Sequence, residues 1–178
     1  MNQVGRIAAL LVALLLVACA TVSQAPVAGV TLSGRLAVHV DAVEGGAAQS
    51  MSAAFELKGD AQAGRLNLST PLGNVVAQAR WAPGTVVLTT PQGEKTFPDL
   101  DALTREVLGA SLPVAALFDW LQGRPWPGAA STASVAPAEP GFEQLGWAID
   151  LARFDTAWIG ARRERAPVVT LRAKLDRP

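Results

Sequence analysis

The sequence predicts a mainly β domain with a small α component, an antiparallel meander of short strands covered by two short amphipathic helices. Three observations predict it. Between about residues 31 and 97, apolar and polar side chains alternate in short runs separated by Gly- and Pro-bearing turns, the period-two signature of half-buried strands. From 98 to 123 the apolar spacing lengthens to that of a helix. Beyond 144 alternation returns in two runs, 145–151 and 169–175.

The first thirty residues stand apart from this domain. Arg6 is the only charge among residues 1–20, residues 7–17 are an unbroken apolar run, and Leu16-Val17-Ala18 leads into Cys19. A membrane-spanning helix needs about 20 apolar residues, so the run fits an export signal rather than a span. Leu16-Val17-Ala18-Cys19 resembles a bacterial lipobox, in which the signal is cut before the cysteine and the new N-terminus becomes lipid-modified. The resemblance implies a signal peptide over 1–18, a lipid on Cys19 and a tether over 19–30, where small and polar residues surround Pro26. Cys19 is the only cysteine, so lipidation leaves no thiol for catalysis, metal or disulfide. Ala20 stands where an aspartate, in bacterial lipoproteins, holds the protein in the inner membrane. The outer membrane is therefore the expected destination, with the domain at 31–178 facing the periplasm.

The strands follow in order. Leu32, Leu36, Val38 and Val40 alternate with Ser33, Arg35 and His39, and after Gly45-Gly46 Met51, Ala53, Phe55 and Leu57 alternate with Ser52, Glu56 and Lys58. The stretch 65–81 reads as a hairpin. Leu66 and Leu68 share one face of its first arm, Val75, Ala77, Ala79 and Trp81 share one face of its second, and Thr70-Pro71-Leu72-Gly73 supplies the turn. Leu72 is out of keeping, because turn tips have few neighbours to bury a side chain against. It is either an ordinary surface leucine or an apolar tip meant for a bilayer, and the export segment favours the second reading. After Pro83-Gly84, residues 85–90 form another strand, and Pro91-Gln92-Gly93 turns the chain into 94–97. Asp99 as N-cap, Leu100, Leu103 and Val107 at helical spacing, and Gly109 as C-cap predict a helix of about ten residues. Pro113 opens a second helix with Val114, Leu117, Phe118 and Leu121 as its stripe, Trp120 at its flank and Gly123 as its stop. Residues 128–140 are a low-complexity loop. The alternations at 145–151 and 169–175 add two late strands.

Composition and motifs exclude more than they assign. A chain of 178 residues, 50% hydrophobic, 17% charged and with zero net charge, fits one globular domain and not a nucleic-acid binder. Arg162, Arg163 and Arg165 form the only dense basic cluster, with no interleaved aromatic ladder, and read as a solvated loop. His39 is the single histidine, which excludes a multi-histidine metal site and reads as a solvent-facing strand residue. Asp99 and Asp101 are explained by helix capping and the helix dipole. There is no nucleophile elbow, no CxxC pair and no nucleotide loop. No enzyme and no cofactor are expected.

Taken together, the residues resemble the outer-membrane lipoprotein localisation factor family, LolB. The resemblance rests on the lipobox at Cys19, on Leu66-Asn67-Leu68-Ser69-Thr70-Pro71-Leu72-Gly73, on Pro91-Gln92-Gly93, on the helical region from Leu112-Pro113 to Gly123-Arg124-Pro125, and on Gly146-Trp147. It covers most of the chain after Cys19, in order. Here a short tether replaces the helix that precedes the family's first strand, and Leu57 stands near the place of a strand tryptophan. The resemblance implies an incomplete antiparallel β-barrel, a half-barrel, with a helical lid on its open side. It implies a monomer that accepts lipoproteins from the soluble periplasmic carrier LolA and inserts them into the outer membrane. The family's protruding loop residue falls on Leu72, flanked by Pro71 and Gly73.

Such a receiver needs an apolar cavity for its cargo's acyl chains, because transferring them from water is worth about 0.8 kcal/mol per methylene. Leu36, Val38, Phe55, Leu57, Leu66, Leu68, Val75, Leu117, Phe118 and Trp147 are its expected lining, and plain core is the alternative for each. The competing reading of the whole chain is a lipid-anchored scaffold of the envelope with a dry core. An anchored hydrolase would need a nucleophile and base that the sequence does not display.

Overall fold

The computed structural model describes residues 29–135 and 138–176, so the signal segment, Cys19 and most of the tether lie outside the described residues. Eleven strands form one sheet: β1 (Val30–Val40), β2 (Gln49–Gly59), β3 (Gly64–Ser69), β4 (Val75–Ala82), β5 (Thr85–Thr90), β6 (Gly93–Phe97), β7 (Ser131–Ala133), β8 (Gly141–Gln144), β9 (Trp147–Asp150), β10 (Trp158–Arg163) and β11 (Val169–Leu175). Between β6 and β7 come two helices, α1 (Leu100–Leu108) and α2 (Val114–Trp120). The strand order is β6-β5-β4-β3-β2-β1-β11-β10-β9-β8-β7, antiparallel throughout. Two meanders are therefore joined where the first strand pairs with the last, Leu36 opposite Ala173 and Val40 opposite Val169. β6 and β7 remain as free edges, and the sheet is an open half-barrel with the helices across its inner face.

Alternation decides that face. Val38 and Val40, Ala53, Phe55 and Leu57, Ile159 and Ala161, and Leu171 and Ala173 point inward and are buried. Arg35, His39, Glu56 and Arg172 point outward. Trp81 lies across Gly64, its partner in register, so closely that a Cβ at Gly64 would meet the indole at 2.3 Å. Its Nε1 donates to the Asp60 carbonyl at 3.0 Å, which satisfies the one polar atom of a buried ring.

The helices cover the inner face because their apolar stripes have nowhere else to go. Asp99 caps α1, its carboxylate accepting from the Ala102 amide at 2.7 Å, and Gly109 ends it in the left-handed region with φ 70°. α2 spans the opening between the meanders. Phe118 packs edge-on to Trp81 of β4, and Trp120 packs against Trp147 of β9, both pairs 6.0 Å between ring centres.

Four expectations change. Residues 128–140 are not all loop, since Ser131–Ala133 pairs with β8 as the last strand of the sheet. The alternation at 145–151 is not one strand, because Leu145 (φ 54°) and Gly146 (φ 75°) make the two-residue turn between β8 and β9. The arginines at 162 and 163 sit on β10 rather than in a solvated loop, and parity turns Arg163 inward, where it is 8% exposed. Val75 does not share a face with Ala77. The pairing of β3 with β4 runs Leu68 to Ala77 and then Ser69 to Val75, skipping Val76. One extra residue in one strand reverses the parity beyond it, so Val75 takes the outward side of Ser69 and is 59% exposed.

Candidate functional site

Beneath α1 and the start of α2 lies an apolar groove whose floor is the inner face of β1–β5 and β11. Leu36, Val38, Leu66, Leu68 and Leu117 line it, together with Met51, Leu88, Leu103, Leu108, Leu112 and Leu171. The free volume is about 80 Å³, room for a few methylene-sized groups and far less than a membrane-length acyl chain. Of the other residues expected on its walls, Phe55, Leu57, Phe118 and Trp147 are buried elsewhere in the core, Phe118 and Trp147 held by their tryptophan partners. Val75 is outside altogether. Leu103 and Leu171 carried a visible signal, helical spacing and strand alternation, but only the sheet order sets them opposite each other.

Among the described residues three polar side chains are buried, Thr104, Gln144 and Arg163, and all three secure the helical cover. Thr104 Oγ1 accepts from the Leu112 amide at 3.1 Å, tying the linker between the helices back onto α1. Arg163 donates to the carbonyls of Ser111 and Pro167, each at 3.2 Å, and its guanidinium lies 5.5 Å from the Trp147 ring centre. Burial and then the neighbouring Arg165 push its pKa below the usual arginine range. Gln144 Oε1 accepts from Trp120 Nε1 at 2.7 Å and from the Trp126 amide at 2.9 Å, while Nε2 donates to the carbonyls of Trp126 and Ala129 at 2.7 Å. The end of α2 is thus fastened to β8. α1 is fastened to the sheet differently. Its polar tie there is the exposed Lys95–Glu106 pair at 2.5 Å, and pairs of that kind contribute little.

The β3–β4 hairpin projects beyond the sheet. Its turn is closed by the Gly73 amide donating to the Thr70 carbonyl and the Thr70 amide donating to the Asn74 carbonyl, both at 2.9 Å. Pro71 and Gly73, the latter at φ 86°, hold Leu72 at the tip, where it is 90% exposed. His39 lies on the outer face, hydrogen-bonded to Ser50 at 2.6 Å and 3.1 Å from Asp41. Neither it nor Asp99 belongs to the groove.

An open antiparallel half-barrel, covered by two helices over an aliphatic groove and carrying a built apolar loop tip, defines the class of protein. Residues 29–169 match the family model of the outer membrane lipoprotein LolB. The chain belongs to the LolB family. It is 33% identical over 176 residues to the outer-membrane lipoprotein LolB of Bordetella petrii, covering 92% of this chain and 88% of that one. The protein of the same name from Thiobacillus denitrificans is 33% identical over 171 residues, with 89% and 85% covered. The Bordetella pertussis protein is 36% identical over 126 residues, which are 68% of this chain and span 63% of that relative's length.

Proposed function

We propose that this chain is an outer-membrane receptor of lipoprotein sorting. Its signal peptide (1–18) is removed, Cys19 is lipidated, residues 19–30 tether the domain to the outer membrane, and 31–178 form one lipid-binding unit in the periplasm. It accepts lipoproteins from the carrier LolA as a monomer, shelters their acyl chains beneath α1 and passes them to the bilayer through the loop Pro71-Leu72-Gly73. Membership of the LolB family supports the assignment, and the aliphatic groove under an apolar-held helix is the observation that carries it. Because the resting groove holds about 80 Å³, loading requires α1 to lift while α2 stays pinned by Gln144. The sequence carries no nucleotide motif, so transfer runs downhill, each acceptor holding the chains more favourably than the last donor.

The small resting volume also supports the second reading, a scaffold with a filled interior. A fluorescent fatty acid distinguishes them: saturable binding to the full chain is expected of the receptor, and no binding would leave the scaffold. In a transfer assay into liposomes, Leu72→Glu is expected to keep fatty-acid binding and to slow insertion at least tenfold. A carboxylate resists hydrocarbon by on the order of 2–3 kcal/mol. Undiminished insertion by that variant would remove Leu72 from the mechanism.

A further inference from the structure

Resting on the receptor reading above, we propose that the rim bearing Leu72 docks on the bilayer through three loop tips, with Val43 and Leu145 inserting beside it. The antiparallel order puts the β1–β2, β3–β4, β5–β6, β8–β9 and β10–β11 connections at one end of the half-barrel. Register fixes this, since Val40 lies opposite both Gln49 and Val169, and Val169 opposite Arg163. Among the described residues eight large hydrophobic side chains are exposed, and six of them, Val43, Leu72, Val75, Val76, Val107 and Leu145, are at this end. The far rim has only Val30 and Val135.

Two of the six sit on tight turns, where apolar side chains are out of keeping. Leu145 occupies the first position of a two-residue turn at φ 54°, a conformation that suits Asn or Gly and strains leucine, yet it stays 47% exposed. Val43 begins the turn closed by the Gly46 amide on its carbonyl at 2.8 Å and is also 47% exposed. Successive loops on this rim are two strand spacings apart, about 10 Å, so the tips ring one opening. The charges on this rim are mixed, exposed Arg165 on the β10–β11 loop facing the same end as exposed Asp41 and Glu44, so the apolar tips and not net charge carry the docking.

The groove reaches the same rim. A recess of about 250 Å³ between α1 and the ends of β1 and β2 is lined by Val40, Gln49 and Ser50 and shares Val38, Met51, Val107 and Leu108 with the groove walls. A chain leaving by that recess emerges among the tips, directly into the surface on which they rest.

The test uses the full chain, reconstituted by its own anchor into vesicles of phosphatidylethanolamine and phosphatidylglycerol containing brominated lipid. Single fluorophores are placed by Val43→Cys, Leu72→Cys, Leu145→Cys and, on the far rim, Gln62→Cys. Strong bromine quenching at 43, 72 and 145 but not at 62 is expected. Quenching at 72 alone, or equal quenching at 62, would overturn the proposal, as would protection at 43 and 145 that appears only at high protein density and marks contact with a second copy. Leu145→Asn, which relieves the turn, is expected to keep or raise the melting temperature while slowing lipoprotein transfer roughly fivefold, the effect of losing one partly buried aliphatic side chain. Failure of the receptor reading looks different, because fatty-acid binding would then be absent whatever the quenching pattern.

Discussion

Gln144 shows how much one buried side chain can organise. The oxygen and the nitrogen of its carboxamide each make two hydrogen bonds to α2 and the segment after it, so the residue is at once a strand end and the clasp of the cover. Gln144→Leu has nearly the right volume but strands the Trp120 indole N–H, the Trp126 amide and two carbonyls. Each unsatisfied buried group costs about 1–3 kcal/mol, so a loss of about 3 kcal/mol or more in urea unfolding is expected, with a changed near-ultraviolet tryptophan signal. Arg163 acts in the same region by other means. It has no carboxylate partner among the described residues, and its charge is met by two carbonyls and the face of Trp147.

At the scale of elements, α1 depends on its ends and on its apolar face. Asp99→Ala removes the acceptor for the Ala102 amide and is expected to destabilise the protein by about 1 kcal/mol, read as a lower urea midpoint at unchanged m-value. The β2–β3 turn depends on a carboxylate. The amides of Ala63 and Gln62 donate to Asp60 and hold its pKa below the ordinary 3.8. A depressed folded pKa gives stability that is present above the ordinary value and lost as the pH falls through the lowered one. Asp60→Asn is therefore expected to flatten the acid limb of melting temperature against pH by lowering the melting temperature at neutral pH, with the smallest difference from the unsubstituted protein in acid. The bulge at Val76 is a third device of this scale: by reversing parity it turns Val75 out beside the Leu72 tip and leaves the groove floor to Leu66, Leu68 and Ala77.

Across the whole molecule, stability is distributed unevenly. β1, β2 and β11 are paired on both sides at the centre of the sheet, and Leu171 and Val169 of β11, with Trp120 of α2, are the largest fully buried side chains among the described residues. Among the described residues α1 covers the groove through apolar contacts and one exposed ion pair. Amide hydrogen exchange is expected to rank α1 well below β1, β2 and β11 in protection, with α2 between them, and a fatty-acid ligand should change α1 first. Equal protection of α1 and the central strands would contradict a lid that opens alone.

The sequence by itself determined β1 to β6, the two helices and the last strand, because alternation, helical spacing, caps and turns act over a few residues, whereas the short strands β7 and β8 and the strand β10 were not legible in it. It marked Cys19 and Leu72, and it supplied the family through motifs that keep their order. Tertiary structure alone decided which apolar residues share the groove, since Leu103, Leu117 and Leu171 meet only after the first strand pairs with the last. It also decided what a single-residue bulge did to Val75, and why the arginine at 163 turned inward. Burial and parity are settled by neighbours far along the chain, and no local pattern contains them.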